Sequence, residues 1–106
     1  MVQPDNIKMG GLTGLMRCAA LAQAHGVELV PHRTQPMIGH TADLHLSASQ
    51  LRMTKPCEWN DPSPRQHAVF EDPPRPRDGL FELSGRAGLG LVLNEAKLAD
   101  QRLPIA

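Results

Sequence analysis

Three ionisable residues of complementary kinds recur at nearly equal steps along the chain: Asp5, His32 and Glu58, spaced by 27 and 26 residues. An imidazole that donates one ring N–H to a carboxylate is fixed in one tautomer and made more basic at its other nitrogen. That second nitrogen can take a proton from carbon or deliver one to a departing hydroxyl. Asp5 and His32 are residues of the right types for such a pair, with Glu58 available to hydrogen-bond a substrate or help hold its carboxylate. Arg33, next to His32, carries a planar guanidinium that matches a carboxylate, and His40 stands where it would line a pocket near the following loop. Spacing alone leaves a plainer reading open, in which all of these are polar residues at element ends, solvated or capping neighbouring helices.

The steps of 27 and 26 residues match one strand–loop–helix–loop repeat. Residues 13–25 read as a helix, with Thr13 as N-cap, Leu15, Cys18, Ala19 and Ala22 on one apolar face, and Gly26 at the left-handed position after its end. Residues 27–30 read as a short buried strand stopped by Pro31. A second helix is expected from Thr41, with Leu44, Ala48 and Leu51 on one side, and a third extended piece over 55–58 beside Pro56. With residues 2–5 as the end of an earlier strand, the order is strand, helix, strand, helix, strand, the pattern of parallel βα units. Consecutive strands of right-handed units end at the same sheet edge, with neighbours about 4.8 Å apart. That arrangement would bring Asp5, His32 and Glu58 together. Residues 60–78, rich in proline, are expected to run extended over a surface. Two short strands at 81–83 and 89–93 and a polar helix over 95–101 would follow.

Composition excludes more than it identifies. The 106 residues carry eleven Lys+Arg against eleven Asp+Glu, a balance that gives no support to nucleic acid or an anionic membrane as partner. No apolar run approaches the ~18 residues of a membrane span, and no basic and then apolar leader opens the chain. Cys18 and Cys57 show no metal or redox spacing and read as small packing residues in a reduced, cytoplasmic setting. His40 and His45 are five residues apart, roughly 140° around a helix, and so do not form a metal-binding pair. Gly10-Gly11 lacks the Lys-Ser/Thr ending of a phosphate loop. With two Phe, one Trp and no Tyr against ten Pro and nine Gly, there is little aromatic area from which to build a private core.

The run QPDNIKMGGLTGLMRCAALAQAHGVELVPH resembles the late-barrel segment of the mandelate racemase branch of the enolase superfamily. There an Asp ends a strand, a Gly-Gly-[Ile/Leu]-Thr turn and an Ala-rich helix follow, and a Pro-His pair ends the next strand. The stretch HRTQPMIGHTADLHLSAS is similar to the acid-sugar dehydratases of that superfamily, such as rhamnonate dehydratase, and DGLFELSGRAGLGLVLNE to their C-terminal tail, with Arg86 and Ala87 departing from the usual start of its turn. The fold this resemblance implies is α/β, the C-terminal part of a (β/α) barrel comprising its last two to three βα units, with a Pro-rich tail of short strands. Residues 1–60 would be the barrel units and 61–106 a tail packing back on barrel and capping domain.

By the same resemblance, Asp5 and His32 form the catalytic dyad of a magnesium-dependent dehydratase or racemase, Glu58 is the carboxylate of the last strand, and Arg33 and His40 face a sugar-acid substrate. The family's Mg2+ ligands belong to strands that precede this stretch, so the chain by itself is expected to hold no metal and to be inactive alone. The alternative is a non-catalytic remnant that self-associates, binds a partner or supplies the missing half of a split barrel in trans. Its motivation is the unpaired sheet edge at residues 2–5.

Overall fold

A computed structural model describes residues 1–33, 36–50, 53–60 and 64–99. The chain divides into two compact units, Met1–Asp61 and Pro62–Ala106.

The first unit is built on α1 (Gly11–Ala24) and α2 (Met37–Ser49). Ala, Leu and Met, good helix formers, dominate α1. It begins two residues before the expected Thr13, because Gly10 takes a left-handed φ of 81° at the N-cap, a conformation that a glycine adopts without strain. Its end is as expected. Gly26 (φ 64°) donates to the Gln23 carbonyl and Val27 to the Ala22 carbonyl, the paired bonds of a Schellman motif. Leu15, Ala19 and Ala22 of α1 pack with Leu29 and Leu46 in one buried cluster, with Cys18 and Val27 against it.

On either side of α1 the chain pairs in parallel, Val2 with Leu29. Val2 N donates to Glu28 O, Val30 N to Val2 O and His32 N to Pro4 O. The pairing stays a single bridge because Pro4 has no N–H with which to complete the next rung. The expected strands at 2–5 and 27–30 are therefore present as paired extended chain, shortened by a proline.

Two expectations are corrected. Helix α2 starts at Met37 after Pro36, not at Thr41, whose hydroxyl instead donates back to the Met37 carbonyl within the helix. Its buried residues include Leu44 and Leu46, whereas Ala48 is exposed; Leu51 lies outside the described residues. The third extended piece forms no backbone bridge among the described residues. Val30 and His32 turn their N–H groups to the first strand, which leaves residues 31 and 33 to face the third piece, and Pro31 has no donor to offer. Side chains join the two instead. Glu28 Oε1 accepts from Thr54 N (2.8 Å), Thr54 Oγ1 (2.9 Å) and Lys55 N (2.9 Å). Glu58 Oε2 accepts from Arg33 N at 2.7 Å, and Asn60 Nδ2 donates to Arg33 O at 3.1 Å.

In the second unit, the stretch expected to be wholly extended contains α3 (Pro64–Ala68), whose first residue is a proline, a position where the missing N–H costs nothing. Phe70 bridges Leu93 in antiparallel sense and Arg77 bridges Leu80. Asp78 and Gly79 between the last two both have positive φ (51° and 77°), as a two-residue type I′ hairpin turn requires. The expected strand at 81–83 makes no bridge among the described residues. In the last helix, α4 (Glu95–Ala99), Asn94 caps the N-terminus by accepting from Lys97 N at 3.0 Å.

Candidate functional site

Asp5 closes the first extended segment and shapes the turn that follows it. Its Oδ1 accepts from Ile7 N (3.0 Å) and Lys8 N (3.3 Å), and its backbone carbonyl from Met9 N (2.9 Å). These bonds spend one carboxylate oxygen on the loop and leave Oδ2 facing His32 Nδ1 at 3.8 Å, with Lys8 Nζ also 3.8 Å away. Asp5 is buried at 7% exposure, whereas His32 is 38% exposed, so the pair has one sheltered and one accessible member. A separation of 3.8 Å is ion-pair range and about 1 Å longer than a good hydrogen bond, a slack common in catalytic pairs before substrate arrives. Glu58 joins them from the third piece through its bond to the backbone of Arg33, the residue after His32.

Arg33 and His40 lie deeper than a first-contact role at an open mouth would suggest, at 6% and 2% exposure. The Arg33 guanidinium stands 5.3 Å from the Trp59 ring centroid, and the His40 ring packs 4.9 Å from the same ring. Burial weakens the hold of Arg33 on its proton, an effect that the charges of Asp43 and Glu58 partly offset; it stays charged regardless. Burial, with the nearby Arg33 charge, pushes His40 down to about 4, so it is neutral at physiological pH.

Four further residues complete the arrangement. Asn6 Nδ2 donates to Gly39 O (2.8 Å) and to Asp43 Oδ1 (2.7 Å), both on α2. Asp43, 4% exposed, is raised to about 6 by burial; the Asn6 hydrogen bond and Arg33 pull it down, and the charge of Asp5 pushes it up. Trp59 and Asn60 hold the two sides of Arg33. The only sign of Asp43 in the sequence is its i, i+3 spacing from His40. Nothing local marks Asn6 as its partner, 37 residues away.

A cavity of about 10 Å³ lies among Arg33, His40, Asp43 and Glu58, room for about one water molecule. A larger one of about 190 Å³ sits at the opposite end of segment 27–33, between Gln23, Glu28 and Thr54, away from Asp5 and His32. Among the described residues, no group of three or more His, Cys, Asp or Glu side chains could hold a metal ion. No described helix is long and apolar enough to cross a membrane.

The profile of the family described as enolase C-terminal domain-like matches residues 1–97. The chain belongs to that family. Among relatives of this enolase-type chain, a putative L-rhamnonate dehydratase of Caldivirga maquilingensis is 29% identical over 96 residues, which are 89% of this chain and 24% of the relative. The L-talarate/galactarate dehydratase of Salmonella typhimurium is 34% identical over 98 residues, 89% of this chain and 21% of the relative. A crystal structure of a mandelate racemase/muconate lactonizing protein from Paracoccus denitrificans PD1222, complexed with magnesium, superposes with a TM-score of 0.86 at 54% identity. It covers 94% of this chain and 27% of that protein. The enolase-type chain thus spans about a quarter of the length of the proteins it matches, and its similarity to acid-sugar dehydratases agrees with the resemblance read from its motifs.

Proposed function

We propose that the chain is the acid/base-bearing C-terminal part of an acid-sugar dehydratase, formed from the last two to three βα units of an enolase-type barrel. The observation that supports this reading best is the sheltered Asp5 carboxylate facing Nδ1 of an accessible His32 at 3.8 Å. The same carboxylate is anchored through its other oxygen to the turn before α1. Closing that gap would place the His32 proton on Nδ1 and leave Nε2 to take the proton next to the substrate carboxylate, or to give one to the departing β-hydroxyl. Glu58, held to the backbone beside His32, would hydrogen-bond the substrate, with Arg33 and His40 lining the floor behind. The magnesium of the Paracoccus relative has no matching ligand set among the described residues. In this proposal its ligands belong to the preceding part of the barrel, and the chain alone neither binds the ion specifically nor turns over substrate.

Complementation tests this. The chain is mixed with magnesium, a panel of aldonic acids and the Paracoccus relative truncated before its equivalent of Met1. Formation of 2-keto-3-deoxy acids by the mixture, absent from either part alone and abolished by His32→Asn, is the expected result. Turnover that survives His32→Asn would remove His32 from the chemistry.

A second reading has its own support. Val2 (40% exposed), Ile7 (61%), Met9 (41%), Leu12 (39%) and Met16 (48%) leave apolar surface along the first strand, its turn and α1. Such surface, next to an edge that has no bridge partner among the described residues, invites association. A non-catalytic remnant would self-associate through it or complete a barrel in trans without turnover. Sedimentation as a dimer or larger, with no product in the complemented assay, would favour that reading.

A further inference from the structure

We infer that Asp43, acting through Asn6, is a positioning residue that helps hold Asp5 against His32. This rests on the reading of Asp5 and His32 as an acid/base dyad. Asp5 sits at the mouth of a turn that bonds within itself: Ile7 N and Lys8 N to Oδ1, Met9 N to its carbonyl, Gly11 N to the Asn6 carbonyl. Local bonds fix the shape of a turn but not its place on the rest of the fold. The strand pairing behind it ends at the His32 N to Pro4 O bond, one residue before Asp5. A long-range fixed point beside it is Asn6, 4% exposed. Its amide donates both to the Gly39 carbonyl and to the Asp43 carboxylate. Two bonds from one planar amide set the Asn6 side chain, and with it the backbone that carries Asp5.

The chemistry of the pairing favours a role beyond filling space. A carboxylate acceptor makes a shorter and stronger bond to an amide N–H than a neutral carbonyl does, and the Asn6–Asp43 bond is short at 2.7 Å. Asp43 keeps that bond although it is buried and its Oδ2 has no hydrogen-bond partner among the described residues, a cost that an apolar residue would avoid. The same helix packs His40 on Trp59, next to Glu58. The first turns of α2 therefore steady the surroundings of Glu58 as well as the turn of Asp5.

The test reads the His32 tautomer by side-chain 15N NMR at pH 8 in the 106-residue chain, with the amides of Ala19 and Leu29 reporting the core. In the unsubstituted chain the proton is expected on Nδ1. Asp43→Leu and Asn6→Leu should each lower the Nδ1–H to Nε2–H ratio about fivefold, the worth of one net hydrogen bond. Asp43→Asn, which keeps an acceptor for Asn6, should retain most of it. An unchanged ratio in Asp43→Leu with the core amides intact overturns the inference. Where Asp43→Leu disturbs the core, Asp43→Ser against Asp43→Asn decides: a lower ratio in the serine variant supports it, and equal ratios overturn it. A proton on Nε2 in the unsubstituted chain is a different failure, because it removes the dyad itself.

Discussion

Replacing either of the two buried titratable groups on α2 should unmask a pH dependence that the other conceals. His40 is pushed from 6.5 down to about 4 by burial and the Arg33 charge, and Asp43 from 3.8 up to about 6 by burial, with Asp5 adding to it. A depressed imidazole contributes stability that is present above its unfolded value and lost as pH falls toward 4. A raised carboxyl contributes stability that is present below its unfolded value and lost as pH rises toward 6. Over the same window, about pH 4 to 6.5, one slope is positive and the other negative. At roughly 1.4 kcal/mol for each tenfold change in proton affinity between the folded and unfolded chain, each contribution amounts to about 3 kcal/mol, so their sum is nearly flat. Urea unfolding of the chain, His40→Gln and Asp43→Asn at half-unit steps of pH reads each contribution as a difference from the unsubstituted chain, which removes the common background of other groups. Relative to that chain, Asp43→Asn should gain about 3 kcal/mol as pH rises through the window and His40→Gln should lose about as much. Differences that do not change with pH, or slopes of the same sign, would refute the reasoning from burial.

Two further outcomes concern the first unit. Leu15, 0% exposed at the centre of the cluster with Ala19, Ala22, Leu29 and Leu46, should cost about 3–4 kcal/mol as Leu15→Ala, read as a shift in urea midpoint at constant slope. Gly14→Ala should also destabilise, by about 1–3 kcal/mol, although alanine is the better helix former, because the added methyl meets the Met9 carbonyl oxygen in the preceding turn; a thermal melt at or above that of the unsubstituted chain would contradict this.

The features legible in the sequence are those written locally. Gly26 announces the end of α1 because a left-handed residue there needs a glycine, and the apolar face of α1 follows from its three- and four-residue steps. Asp5 and His32 are legible as a pair because a βα repeat sets the distance between strand ends, and the Val2–Leu29 bridge brings them to the same place. The start of α2 is hidden because Thr41 looks like a cap, whereas its hydroxyl bonds backward inside the helix. The third piece reads as a strand because it is extended and follows a helix, but Pro31 on the segment facing it has no donor to offer a ladder. Asn6 and Asp43 stay hidden because their bond spans 37 residues and neither neighbourhood carries a pattern that points to the other.

The joining of the third piece by side chains has a consequence for how chain length is measured near His32. A backbone ladder repeats, so two strands can slip past one another and find new partners of the same kind. The fastenings between segments 27–33 and 53–60 do not repeat: Glu28 takes residues 54 and 55, and Glu58 takes residue 33. The short stretch between 55 and 58 therefore works as a gauge, whose span delivers a carboxylate beside His32. One residue inserted there would leave both fastenings chemically intact, but about 3.3 Å of surplus chain would have to bulge out before both could close.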